Sequence, residues 1–168
     1  MTRLASYLAL FLCFATPYVT ATAQSTSTAD LHVIALEASL KQMASDWGAI
    51  DDGNGGKRVR TDYRNVVVMK DRFTPDGMPA QIGASHVDYL DHDGLVQKAK
   101  RLRKPFSILE MVPMVVEGAA VVVTYRVHWV TFSKGRLNLD ISDWSKVYFR
   151  FDCSNHRFVV DRVDLGGI

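Results

Sequence analysis

Six residues in one short stretch carry most of the chemistry this chain could do: His86, Asp88, Tyr89, Asp91, His92 and Asp93, in the run SHVDYLDHD. In an extended segment His86 and Asp88 project to the same side, because side chains alternate along a strand. An imidazole and a carboxylate held together away from water move each other's pKa toward neutrality and can act as a general acid–base pair. Proton abstraction next to a carbonyl, or dehydration, is the reaction such a pair would serve. Tyr63, next to Asp62, adds a phenol able to donate to a developing oxyanion. The competing reading of the 85–93 run is a solvated loop and a helix cap. His86, Asp88 and His92 could also offer themselves to a metal, but their spacing matches no standard site. No metal and no cofactor is therefore expected. A serine elbow, a phosphate loop, paired CxxC and HExxH are all missing from the sequence.

A small-molecule site also needs walls. Trp47, Tyr89, Tyr125, Trp129, Trp144 and Tyr148 are the aromatic candidates for lining one. Tyr125 and Trp129 recur at period two, which equally suits plain core. Arg126 and His128 fall on the other face of the same strand and could serve a homodimer through the outer face of the sheet. The cluster from Lys98 to Lys104 could hold an anionic ligand or be a solvated helix end.

The elements that would position these groups follow from periodicity. Residues 31–47 carry apolar side chains at helical spacing (Val33, Leu36, Leu40, Met43, Ala44, Trp47), with Asp30 as the candidate N-cap. Residues 51–56 (DDGNGG) form a connecting loop by composition; neither calcium-loop spacing nor a phosphate-cradle context is present. Residues 57–64 are basic and mixed, a short helix or an approach to a strand. Residues 66–73 and 80–84, joined by the TPDGMP turn, could make a small hairpin. A helix over about 94–103 follows, capped by Asp91 or Asp93 and stopped by Pro105.

Residues 106–164 then read as four strands, 106–116, 119–132, 142–152 and 157–164, in an antiparallel meander. The first turn is Glu117-Gly118, a longer loop covers 134–140, and Pro113 implies a bulge, an edge or a strand start. Val121, Val123, Tyr125, Val127 and Trp129 share one face; Thr124, Arg126 and His128 share the other. One packed and one polar face place the helices on one side of the sheet.

The chain has 168 residues, 48% of them hydrophobic, which suits one domain with a sizeable core. Residues 1–23 have the pattern of a secretory signal peptide: Arg3, an apolar run over 4–14, and an A-T-A cleavage site before Gln24. That run is too short to span a bilayer, which takes roughly 20 residues. The expected organisation is a leader over 1–23, a flexible lead-in over 24–29 and one domain over 30–168, secreted or periplasmic. Loss of Arg3 with the leader leaves 19 Lys and Arg against 18 Asp and Glu, a net charge of +1. Such balance argues against nucleic acid or a membrane as the main partner once the leader is gone. Cys13 leaves with it, so Cys153 has no partner for an intramolecular disulfide.

This order of helix, short strands, helix and long antiparallel strands resembles the nuclear transport factor two-like superfamily, the SnoaL-like, cystatin-like α+β cone. The resemblance spans roughly residues 30–163. It rests on the leading helix ending near Trp47, FTPDG at 73–77, VVEGAAVVV at 115–123 and the closing strand pair. It implies a curved sheet wrapped around the helices and an internal, largely apolar pocket for a small apolar molecule. It also implies one of two activities: cofactor-independent lyase or isomerase chemistry of dehydratase or cyclase type, or ligand or partner binding without catalysis. No family site residue matches this chain position by position.

Overall fold

A computed structural model describes residues 27–47, 50–51, 57–58 and 63–167 of the chain. The expected leader over 1–23, residues 24–26 of the lead-in, residues 52–56 of the DDGNGG loop, Asp62 and the side chain of Trp47 lie outside the described residues.

Helix α1 spans Thr28–Trp47. Its cap is Ser27, one turn before the expected Asp30. The Ser27 hydroxyl accepts from the Asp30 amide at 3.1 Å, and the Asp30 carboxylate accepts from the Ser27 amide at 2.9 Å. This reciprocal pairing satisfies two amides that a helix start leaves open. The buried stripe is Leu31, His32, Ala35, Leu36, Ser39, Leu40 and Met43, while Ala44 is exposed. Apolar spacing alone put Val33 and Ala44 inside. The stripe includes two polar residues, and both are tied to the sheet across the interior, Ser39 by its hydroxyl and His32 by its backbone carbonyl. Ser145 Oγ donates to Ser39 Oγ at 2.9 Å, and the His32 carbonyl accepts from Tyr125.

Two short strands, β1 (Ile50–Asp51) and β2 (Lys57–Arg58), pair antiparallel on their own. The main sheet has seven strands: β3 (Asn65–Met69), β4 (Gln81–Ile82), β5 (Ser85–Leu90), β6 (Phe106–Glu117), β7 (Ala120–Ser133), β8 (Arg136–Asp152) and β9 (Arg157–Gly167). Their order is β4-β5-β3-β6-β7-β8-β9. The α+β class and the C-terminal meander are as read from the sequence; the sheet is mixed rather than wholly antiparallel. β3 does not form a hairpin with residues 80–84. It pairs parallel with β5 and with β6, and the hairpin is β4–β5. The long connection over 70–80 gives the chain the reach a parallel neighbour needs.

Helix α2 (His92–Leu102) joins β5 to β6 with β3 lying between them, a split crossover. Asp91 caps it, accepting from the Gly94 amide at 2.8 Å. That topology places the two helices on opposite faces. Val66, Val68, Leu109 and Met111 pack with α1, whereas their neighbours Val67 and Ile108 pack with Leu95 of α2 and Val130. The expectation of helices on one side is thus corrected: alternate residues of one strand feed two cores.

Of the expected 134–140 loop only Lys134 and Gly135 are a turn, and residues 136–140 are strand. β7 and β8 stay paired to Ser133↔Arg136, and the chain reverses at Lys134 and Gly135, both at positive φ (50° and 78°), the backbone of a tight hairpin turn. Pro113 lies at a bulge, where the β6–β7 register shifts between Val112 and Val115.

Candidate functional site

The sequence-predicted acid–base pair does meet. His86 Nε2 is 3.3 Å from Asp88 Oδ1. Lys98 of α2 reaches the other oxygen, Nζ to Oδ2 at 3.0 Å. The Lys98 hydrogen bond holds the Asp88 carboxyl below the usual range; partial burial opposes this, and the Lys98 and His86 charges reinforce it. The side chains of His86 and Asp88 are 55% and 44% exposed, so water screens both. A carboxylate already paired with lysine is a weak base, the reverse of what proton abstraction requires.

Tyr63 is on the other side of the sheet, packed against the α1 core with Tyr89. The Tyr89 hydroxyl donates to the Pro79 carbonyl at 3.2 Å, and burial pushes its pKa up to about 12. The three residues expected to act together are therefore split, His86 and Asp88 towards α2 and Tyr63 towards α1.

A cleft lies on Tyr63's side. The β3–β6 register holds only Val68↔Leu109 and Met69↔Glu110, so these strands part towards Asn65 and Ser107. The parting opens a cavity of about 40 Å³, room for about three water molecules. Leu40 and Met43 of α1, Val66, Leu109 and Val127 supply its apolar surface. Tyr63, Asn65, Ser107, Trp129, Ser142 and Asp143 supply polar or amphipathic groups. Ser142 is the extra residue of a bulge, since Val127 faces Asp143 and His128 faces Ile141. Its hydroxyl donates to the Val127 carbonyl at 3.3 Å. Bulges of this kind re-aim side chains, and here Ser142 and Asp143 both reach the cleft.

Of the aromatic candidates, Trp129 lines this cleft and is 36% exposed. Tyr125 is fully buried; its hydroxyl donates to the His32 carbonyl at 2.8 Å, and burial holds its pKa well above the usual phenol range. Trp144 and Tyr148 are on the outer face, opposite Ser145, Val147 and Phe149. Trp144 covers Gly166, where no β-carbon would fit, and Tyr148 carries the Arg162 guanidinium 3.5 Å from its ring centre. His128 is buried on the α2 side, Nε2 2.8 Å from Glu110 Oε2, with Arg126 Nη1 at 3.7 Å from the same oxygen.

Sequence reasoning missed Leu40, Met43, Asn65, Ser107, Ser142 and Asp143 as a set. They come from four elements, and what joins them is a divergence between strands that no local spacing encodes. The Ser142-Asp143 pair in the middle of a strand is the one local irregularity that hinted at a bulge. Among the described residues, no group of three His, Cys, Asp or Glu is placed to hold a metal ion, and no helix is long and apolar enough to cross a membrane. No protein-family model, curated protein or solved structure matches the chain.

Proposed function

We propose that the chain is an exported small-molecule-binding domain that takes a small, mostly apolar molecule, or the apolar end of one, into the cleft between β3 and β6 without transforming it. The observation that carries this reading is the make-up of the cleft: a floor of Leu40, Met43, Val66 and Val127 with a few polar groups at Tyr63, Ser107 and Asp143. Small-molecule sites are built this way, apolar walls for affinity and sparse polar groups for orientation. The leader over 1–23 supports export, to the periplasm or outside the cell. The outer face, where Leu139 and Ile141 are exposed near Arg126, supplies the surface for the homodimer that belongs to this reading. Sedimentation over a concentration range tests that part.

A nuclear-magnetic-resonance titration with cyclohexanone and with phenol tests the cleft. Saturable shifts at the amides of Ser107, Val127 and Asp143 are expected; their absence sinks the proposal.

A second reading, cofactor-independent lyase or isomerase, has one specific support. Tyr63 and Asp143 line the same cleft, and a phenol and a carboxylate are the donor and base such chemistry uses. The same ketone discriminates. Binding alone leaves the exchange of its α-protons with deuterated water at the buffer rate. Exchange that the protein accelerates, and that Asp143→Asn and Tyr63→Phe both abolish, would establish catalysis instead.

A further inference from the structure

The C-terminal end of α2 and the β7–β8 hairpin enclose a second concavity, an open groove of about 580 Å³. Lys100, Arg103, Lys104 and Pro105 form one wall, Thr131 and Phe132 the other, and among the described residues no carboxylate lines it. The volume is in the range of roughly 300–1,000 Å³ typical of small-ligand sites.

Among the described residues its charge has no acidic counterpart in the groove. Lys98, on the same helix, is held by Asp88 at 3.0 Å. Among the described residues Lys100, Arg103 and Lys104 make no ion pair of this kind. The chain without its leader carries a net charge of only +1, so three cations in one groove reflect segregation of charge, not a generally basic surface. The aromatic component is in place as well: Lys100 Nζ lies 5.5 Å from the centre of the Phe132 ring. Arg103 is held in the left-handed region (φ 52°, ψ 22°) as the helix ends, its amide donating to the Ala99 carbonyl at 3.1 Å. Glycine or asparagine is the usual residue at such a position. An arginine there accepts backbone strain, and it is one of the residues that line the groove.

We propose that this groove binds a small organic anion with a phosphomonoester head on an aromatic or apolar body. Three cations lining one groove suit a dianion with three exposed oxygens, and the arginine fork matches phosphate geometry; a monocarboxylate would leave two cations unanswered. Phe132 and Pro105 receive the body. This site lies on the other side of the sheet from the β3–β6 cleft and does not rest on the function proposed there.

Phenyl phosphate is the direct probe, added to the isotope-labelled full chain while amide shifts are followed. Saturable shifts are expected at Lys100, Arg103, Lys104, Thr131 and Phe132. Binding should weaken with added salt, since these cations are open to solvent. Arg103→Gln alone, and the triple variant Lys100→Gln/Arg103→Gln/Lys104→Gln, should weaken it, the triple by about ten-fold or more. Phe132→Ala should weaken phenyl phosphate but leave inorganic phosphate unchanged. Melting curves confirm that each variant is folded. A lipid with a phosphomonoester head presents the same group, so vesicles of phosphatidic acid in phosphatidylcholine form a second arm. Shifts with vesicles but none with phenyl phosphate would make the patch a membrane contact and overturn the proposal. So would equal shifts of these same groove amides with phenol and with phenyl phosphate, or no saturable shift there at all.

Discussion

The Tyr125 hydroxyl donates to the backbone carbonyl of His32 at 2.8 Å, joining the middle of β7 to the first turns of α1 through the interior. Both residues are buried, Tyr125 fully. The contact spans 93 positions of sequence, so it fixes how α1 lies over the sheet. Tyr125→Phe removes the donor and keeps the ring. A neutral hydrogen bond contributes about 0.5–1.5 kcal/mol net, and a loss of that size in denaturant unfolding is expected.

His32 adds a pH dependence. Its side chain is buried and its pKa is lowered by desolvation. The unfolded chain takes up a proton near the ordinary histidine value of about 6.5, while the folded chain resists until lower pH. Stability is therefore held above about 6.5 and falls as pH drops below it, by at most about 1.4 kcal/mol per pH unit for one group. Unfolding free energies measured at successive pH values should show this decline, and His32→Gln should remove His32's share of the slope.

Ser39 and Ser145 are fully buried and bond to each other at 2.9 Å. Replacing one by alanine strands the other hydroxyl, a penalty of about 1–3 kcal/mol. The double alanine variant removes both polar groups. It should cost less than the sum of the singles, a coupling that a double-mutant cycle in denaturant reads directly.

The Asp88–Lys98 pair is expected to matter little for stability. Asp88 is 44% exposed and screened by solvent, and pairs of that kind are worth about 1 kcal/mol or less. Asp88→Asn should shift the melting temperature only slightly. It should also leave cyclohexanone and phenol binding unchanged, since Asp88 is on the α2 face and the cleft opens on the α1 side. A parallel titration of the variant checks both points.

The elements were legible where one local signal decided them. Asp91 or Asp93 was the expected cap of α2, and Asp91 is the cap; Glu117-Gly118 marked the β6–β7 turn, and of the edge, bulge or strand start that Pro113 implied, the bulge is what forms. What escaped was set by distant partners. The α1 helix is tied to the sheet by Ser39 meeting Ser145 and by the His32 backbone carbonyl meeting Tyr125, and neither a buried serine nor a backbone carbonyl registers in an apolar pattern. The parallel pairing of β3 depends on a crossover through α2, so Val66 and Val67 serve different cores although they are neighbours. The candidate site was half legible for the same reason. His86 and Asp88 were rightly placed side by side by strand alternation. Which face they share with Tyr63 is a property of the sheet, and the answer is neither.

The cleft can be tested at its floor. Intermolecular nuclear Overhauser effects between bound cyclohexanone and the methyl groups of Met43 and Val127 would place the probe beneath α1, as proposed. Contacts confined to the outer-face side chains Leu139 and Ile141, or no contacts under conditions where the protein is folded, would contradict a binding site between β3 and β6.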